Sequence, residues 1–165
     1  MKFDNTQTAI KIQMQKRLLA VVVAVVVALL YTTSVWDYVQ EEIGLSRLGF
    51  TLIVLFLFIL FYIYHILVAS SFIYYSDDEP KIIIRFYQLN FFNSAKNSFE
   101  IPKKEFTGFR IERSVFNLRE DLIMFRKSQG KIVRYPPFSI SSLSLSEKGK
   151  LLKSLNSFSQ KQFEQ

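Results

Sequence analysis

The chain has no cysteine, which removes disulfide frameworks, thiolate metal sites and cysteine nucleophiles together. Its one histidine, His65, is set inside an apolar run, so a histidine acid/base pair cannot be built within one copy. Glycine is scarce, five in 165 residues, and neither a phosphate loop nor a dinucleotide-binding glycine fingerprint occurs. Zinc-type ligand spacing is absent as well. Charge is missing from two long stretches before residue 76, and these stretches hold most of the apolar residues. The remainder, about ninety residues, is enough for one small domain with a modest core.

Leu18 to Trp36 reads LLAVVVAVVVALLYTTSVW, and Phe50 to Ile73 reads FTLIVLFLFILFYIYHILVASSFI. A helix rises 1.5 Å per residue, so about twenty apolar residues cross a hydrocarbon core of about 30 Å. Valine is a poor helix former in water, but in lipid the backbone must satisfy itself internally. Two transmembrane helices are therefore expected, at about 18–36 and 50–73, joined by a short external loop over 37–49 with Gly44 and Gly49 as breakers. Tyr31, Trp36 and Tyr38 stand where an aromatic belt meets the headgroups. The first run is too long for a secretory signal, and no A-x-A-like cleavage site follows it, so an uncleaved anchor is expected.

Charge placement sets the orientation. Residues 1–17 carry Lys2, Lys11, Lys16 and Arg17 against Asp4, a net of +3. Tyr31 to Gly49 carries Asp37, Glu41 and Glu42 against Arg47, a net of −2. Residues 76–165 hold sixteen lysines and arginines against ten carboxylates, a net of +6. The positive-inside rule then puts residues 1–17 and 74–165 in the cytoplasm, with both termini inside and the acidic loop out, in a bacterial inner membrane. Ile10, Met14 and Leu18 recur every four residues among cations, as a cytoplasmic extension of the first helix or an amphipathic segment would.

Within the spans two features stand out. Ala20, Ala24 and Ala28 share one face of the first helix, and small residues at that spacing let another helix approach closely. The stripe either packs on the second span or receives a partner helix or a second copy. His65, with Tyr62 and Tyr64, is the one polar cluster in the membrane. It serves either a function or a local hydrogen bond.

From Ser71 the texture changes to short β-rich runs: 72–75, 81–89, 98–106, 108–116, 122–127 and 131–135. Ile82, Ile84 and Phe86 alternate with Ile83, Arg85 and Tyr87, the period of a half-buried strand. Breakers fill the gaps: Asp77-Asp78-Glu79-Pro80, Asn93-Ser94, Asn117, Gln129-Gly130 and Pro136-Pro137. Connections this short favour antiparallel pairing of about six or seven strands. A helix over 145–160 closes the chain, with Ser144 and Glu147 as a capping box and Leu151, Leu152, Leu155 and Phe158 as its apolar stripe.

Consecutive strands followed by one amphipathic helix resemble the pleckstrin-homology-like (PH-like) fold. More narrowly, the chain resembles the bacterial PH-domain family, in which such a domain commonly follows a pair of membrane spans. The local match is Phe99-Glu100-Ile101-Pro102-Lys103-Lys104-Glu105-Phe106 running into Thr107-Gly108-Phe109-Arg110-Ile111-Glu112. It is similar to that family's I-P-x-x-x-I strand, and the likeness covers about residues 72–160. The resemblance implies a two-helix transmembrane hairpin followed by a small β-rich PH-like domain capped by a C-terminal helix. The basic signature of inositide-binding relatives is missing, since its region offers only Lys81 and Arg85 after an acidic triplet.

No nucleophile, base and orienting group come together in the sequence, so no enzyme and no cofactor are expected. Asp77, Asp78 and Glu79 read as a solvated turn, because three consecutive carboxylates diverge in extended chain. Lys103, Lys104, Arg110, Arg113, Arg126, Lys127 and Arg134 form the candidate basic surface. Tethering to a negatively charged leaflet explains them more simply than nucleic acid does, and a plain solvated face is the other reading. The expected role is a membrane-anchored scaffold that assembles or regulates an inner-membrane complex, with a membrane-protein partner or a second copy. Binding of anionic lipid, or of a lipid-linked molecule, is the alternative.

Overall fold

A computed structural model describes residues 1–34, 36–37, 40–41, 44–89 and 95–159. The chain divides into a helical unit, residues 11–65, and a β unit formed by residues 1–10 together with 66–165.

The helical unit contains α1 (Thr6–Thr32, its first turn belonging to the β unit) and α2 (Arg47–Leu67, whose last two residues do likewise). Both are long and apolar enough to cross a membrane, and almost none of their apolar surface is buried. Val21, Val25, Leu29, Leu52, Phe56 and Leu57 all lie exposed. At the acidic corner Arg47 pairs with Asp37 at 3.0 Å and lies over the Tyr31 ring, while Trp36 packs on Phe50 at 4.8 Å. Gly44 takes a left-handed φ of 68°, and its N–H donates to the Gln40 carbonyl. Helix α1 begins at Thr6, twelve residues before Leu18, so Ile10 and Met14 lie on an extension of the first helix, one of the two readings of their spacing. The other limits differ from the expectation: α1 ends at Thr32, and the second apolar run leaves the helix at Leu67.

The β unit contains β1 (Lys2–Asp4), β2 (Ser71–Ser76), β3 (Lys81–Gln88), β4 (Asn97–Pro102), β5 (Phe106–Ser114), β6 (Arg119–Ser128), β7 (Lys131–Arg134) and β8 (Phe138–Ser139), then α3 (Leu145–Phe158). All pairings are antiparallel. One sheet has the order β1-β2-β3-β4; the other has β5-β6-β7, with β8 also on β6. The described residues thus hold eight strands in two sheets, where six or seven were expected. The two additions, β1 and β8, are three and two residues long, too short to show a period in sequence.

The insertion of the helices is the main topological finding. Strand β1 pairs with β2, Phe3 opposite Tyr75, although α1 and α2 lie between them in the chain. The first residues, expected as a separate cytoplasmic segment, are part of the sheet. The core joins Ile73, Tyr75, Ile82, Ile84, Phe86, Ile101, Phe106, Leu122 and Met124 with Leu151 and Leu155 of α3. Ile82, Ile84 and Phe86 point inward as their alternation predicts. The capping box forms: the Ser144 N–H donates to Glu147 Oε2 at 2.7 Å, and the Glu147 N–H to Ser144 Oγ at 3.2 Å. Helix α3 ends at Phe158 with Ser159 as its cap; residue 160 lies outside the described residues.

Candidate functional site

The seven candidate cations do not form one open patch. Arg110, Arg113, Arg126, Lys127 and Arg134 lie on β5, β6 and β7, whereas Lys103 and Lys104 lie in the turn between β4 and β5. Neighbours on the same strand, on other strands and in the β4–β5 turn bring carboxylates to four of them. Arg110 donates to Glu112 at 2.6 Å, and Arg134 reaches the other oxygen of the same carboxylate at 3.7 Å. Arg113 stands opposite Glu120 and bonds it at 3.2 Å; Lys148 of α3 binds that carboxylate too. These partners hold the Glu120 carboxyl below its ordinary range, Lys148 first, against a burial that works the other way. Arg126 pairs with Glu105 at 3.6 Å and lies over the Tyr135 ring. Lys103 donates to the Asp77 carbonyl and rests 4.6 Å over the Phe158 ring, tying a turn to α3. Lys127 is exposed and has no carboxylate partner among the described residues.

Two polar nodes were not foreseen. Asn5 is buried between β1 and α1, and its side chain extends the β1–β2 ladder: Oδ1 accepts from the Ile73 N–H at 2.8 Å and Nδ2 donates to the Ser71 carbonyl at 3.0 Å. Nδ2 also meets Ser142 Oγ at 3.3 Å, and that hydroxyl accepts from the Ser71 N–H. At the other end of β2 sits Asp77, expected in a solvated turn but only 8% exposed. It binds the Met1 ammonium and the Ser154 hydroxyl. Burial works to raise its pKa, yet those donors outweigh it and hold the carboxyl below the usual range. The neighbouring Tyr75 phenol, 2.7 Å from Ser154 Oγ, is pushed well up by burial. Both nodes join residues distant in sequence and consume their own polar atoms, as structural nodes do.

The tip of the β5–β6 hairpin has a different character. Phe116 is 96% exposed and Leu118 44%. Val115, Phe116 and Asn117 take left-handed φ values of 52°, 53° and 64°, a conformation costing on the order of 1 kcal/mol or more for a residue other than glycine. The sequence signal was Asn117, a breaker; the exposure of Phe116, expected at a strand end, was not legible.

In the helical unit Ala20, Ala24 and Ala28 are all exposed. The half-buried face of α1 instead carries Lys16, Leu19, Val23, Val27 and Leu30, and Lys16 lies over the Tyr62 ring of α2. The alanine stripe therefore does not pack on the second helix. His65 is half-buried, edge-on to Phe61 at 4.6 Å, and its Nδ1 has no hydrogen-bond partner among the described residues. No three His, Asp or Glu side chains converge as metal ligands would, again among the described residues. Comparison with protein-family profiles, curated proteins and solved structures finds no match to this chain.

Proposed function

We propose that this chain is a non-enzymatic, membrane-anchored interaction module: a two-span hairpin set into a PH-like β-domain that assembles or regulates a membrane complex through protein contacts. The observation that carries the reading is the insertion of the helices between neighbouring strands. One residue, Asn5, separates β1 from α1, and three, Val68 to Ser70, separate α2 from β2. Three residues reach no more than about 10 Å, so neither junction is a long tether. Because β1 and β2 are paired, the two outer ends of the hairpin belong on one side of the bilayer, and the +3, −2, +6 charge pattern favours the cytoplasmic side. Two four-stranded antiparallel sheets and a closing helix support the PH-like assignment, although here the first strand precedes the spans rather than following them.

Protein contact is favoured over headgroup binding by the basic face away from the β5–β6 tip, because Arg110, Arg126 and Arg134 already have carboxylates within 4 Å. The free alanine face of α1 suits a partner helix or a second copy. Affinity purification of the full chain in mild detergent should retain a stoichiometric membrane protein, or yield a homo-oligomer, and Ala24→Leu should deplete it. Recovery of a lone monomer from mild detergents and from lipid nanodiscs alike would sink the scaffold reading.

A further inference from the structure

The hairpin tip has the composition of a bilayer-interface anchor. Phe116 and Leu118 project as its apolar side chains, and the turn is closed by the Leu118 N–H donating to the Val115 carbonyl at 3.0 Å. Just behind them Arg113, Arg119 and Lys148 stand against two carboxylates, Glu120 and Asp121. An aromatic ring at the acyl boundary with cations level with the phosphates is how interfacial segments bind lipid.

The tip also lies at the appropriate end of the β unit. Asp121 of β6 pairs with Ser139 of β8, and Ser139 Oγ donates to the Val68 carbonyl at 3.2 Å. Val68 is the residue after the last of α2. The tip therefore lies beyond the rung at which the chain arrives from the apolar helix. The opposite turn, between β6 and β7, is seven residues further along β6 from Asp121, about 23 Å away. Leu145, the first residue of α3 and 89% exposed, is at the tip's end too. Its neighbours Ser141 and Ser142 bond the Glu120 N–H and the Ser71 backbone.

We propose that the β5–β6 tip inserts Phe116 and Leu118 into the headgroup boundary of the same bilayer that α1 and α2 cross, with the one positive charge by which Arg113, Arg119 and Lys148 exceed Glu120 and Asp121 facing anionic lipid. This rests on the membrane-anchored part of the reading above and adds a third point of attachment. Lipid is the favoured occupant because the apolar tip, its collar of cations and the arrival of the chain from α2 coincide at one end of the domain.

The absence of cysteine makes the test direct. Single variants Phe116→Cys, Lys131→Cys and Leu57→Cys of the full chain would each carry an environment-sensitive fluorophore. They would be reconstituted into phosphatidylethanolamine–phosphatidylglycerol vesicles, with or without brominated acyl chains. Labels at positions 116 and 57 should be quenched several-fold more than the label at 131, on the remote β6–β7 turn. A quenched 57 with an unquenched 116 overturns the tip proposal and leaves the spans intact. An unquenched 57 overturns the membrane reading itself. A label at 116 that is blue-shifted yet insensitive to bromine means a protein contact, and equal quenching at 116 and 131 means no oriented tip; either overturns the proposal.

Discussion

Asn5 stands where a strand must become a helix without losing its hold on the sheet. Its backbone N–H still donates to the Ile73 carbonyl at 3.2 Å, its side chain satisfies the Ile73 N–H, and its carbonyl accepts from Ala9 inside α1. Asp4 assists by accepting the Thr6 N–H at 2.9 Å, which holds its own carboxyl below the ordinary value through hydrogen bonds to Thr6. An alanine at position 5 would leave the buried Ile73 N–H without an acceptor, whereas the Ser71 carbonyl would keep Ser142. Orphaning one buried donor costs about 1–3 kcal/mol. In a domain of this size that is a drop in melting temperature of roughly 5–15 °C. Calorimetry of the detergent-solubilised chain should show that drop for Asn5→Ala. Lys81→Ala, which removes an exposed pair with Glu100, should move the midpoint little. Equal midpoints for Asn5→Ala and the parent would mean that the Asn5 node contributes nothing.

At the scale of elements, what could be read from sequence follows what a local pattern can carry. Strand β3 was legible because eight residues display the alternation of one buried face, and α3 because a capping box and an apolar stripe agree. Strand β1 was not legible, since three residues have no period and their partner, β2, begins beyond two long helices. The basic residues were visible, but Glu120 faces Arg113 only in the β5–β6 register, and Arg134 reaches Glu112 only once β7 has folded back on β6, so both pairs depend on where the turns fall. Helix α3 gives the sharpest element-level expectation. Leu155 is fully buried against the sheets, while Lys153 is exposed. Truncating a buried leucine to alanine costs about 2–5 kcal/mol, a large share of the roughly 5–15 kcal/mol that a small domain possesses. Leu155→Ala should make the β unit clearly more sensitive to limited proteolysis in detergent, and Lys153→Ala should not. Similar digestion rates for the two variants would show that α3 is not part of the core.

For the whole molecule, the insertion makes a specific claim about which residues constitute the folding unit. A fragment starting at residue 76 would omit β1 and β2 and with them Ile73 and Tyr75, both fully buried in the core. It would also leave the β2-facing edge of β3 uncovered, with six residue pairs of ladder lost, and unpaired edges of that kind aggregate. A chain joining residues 1–5 to 70–159 through a short Gly/Ser link would keep every strand. The closure is feasible because the Asn5 side chain already bonds the Ser71 carbonyl at 3.0 Å, so a few residues replace the whole helical hairpin. Loop-closure entropy also favours the change: a long insertion gives way to a short turn, at a gain of a few kcal/mol at most. The joined chain should express as a soluble monomer with a cooperative melt and strand-rich circular dichroism, whereas the fragment 76–165 should be recovered as aggregate. If the fragment folds cooperatively, the β1–β2 pair lies outside the domain's core. If the joined chain aggregates as well, the β unit depends on its helices for folding, and the division into two units fails.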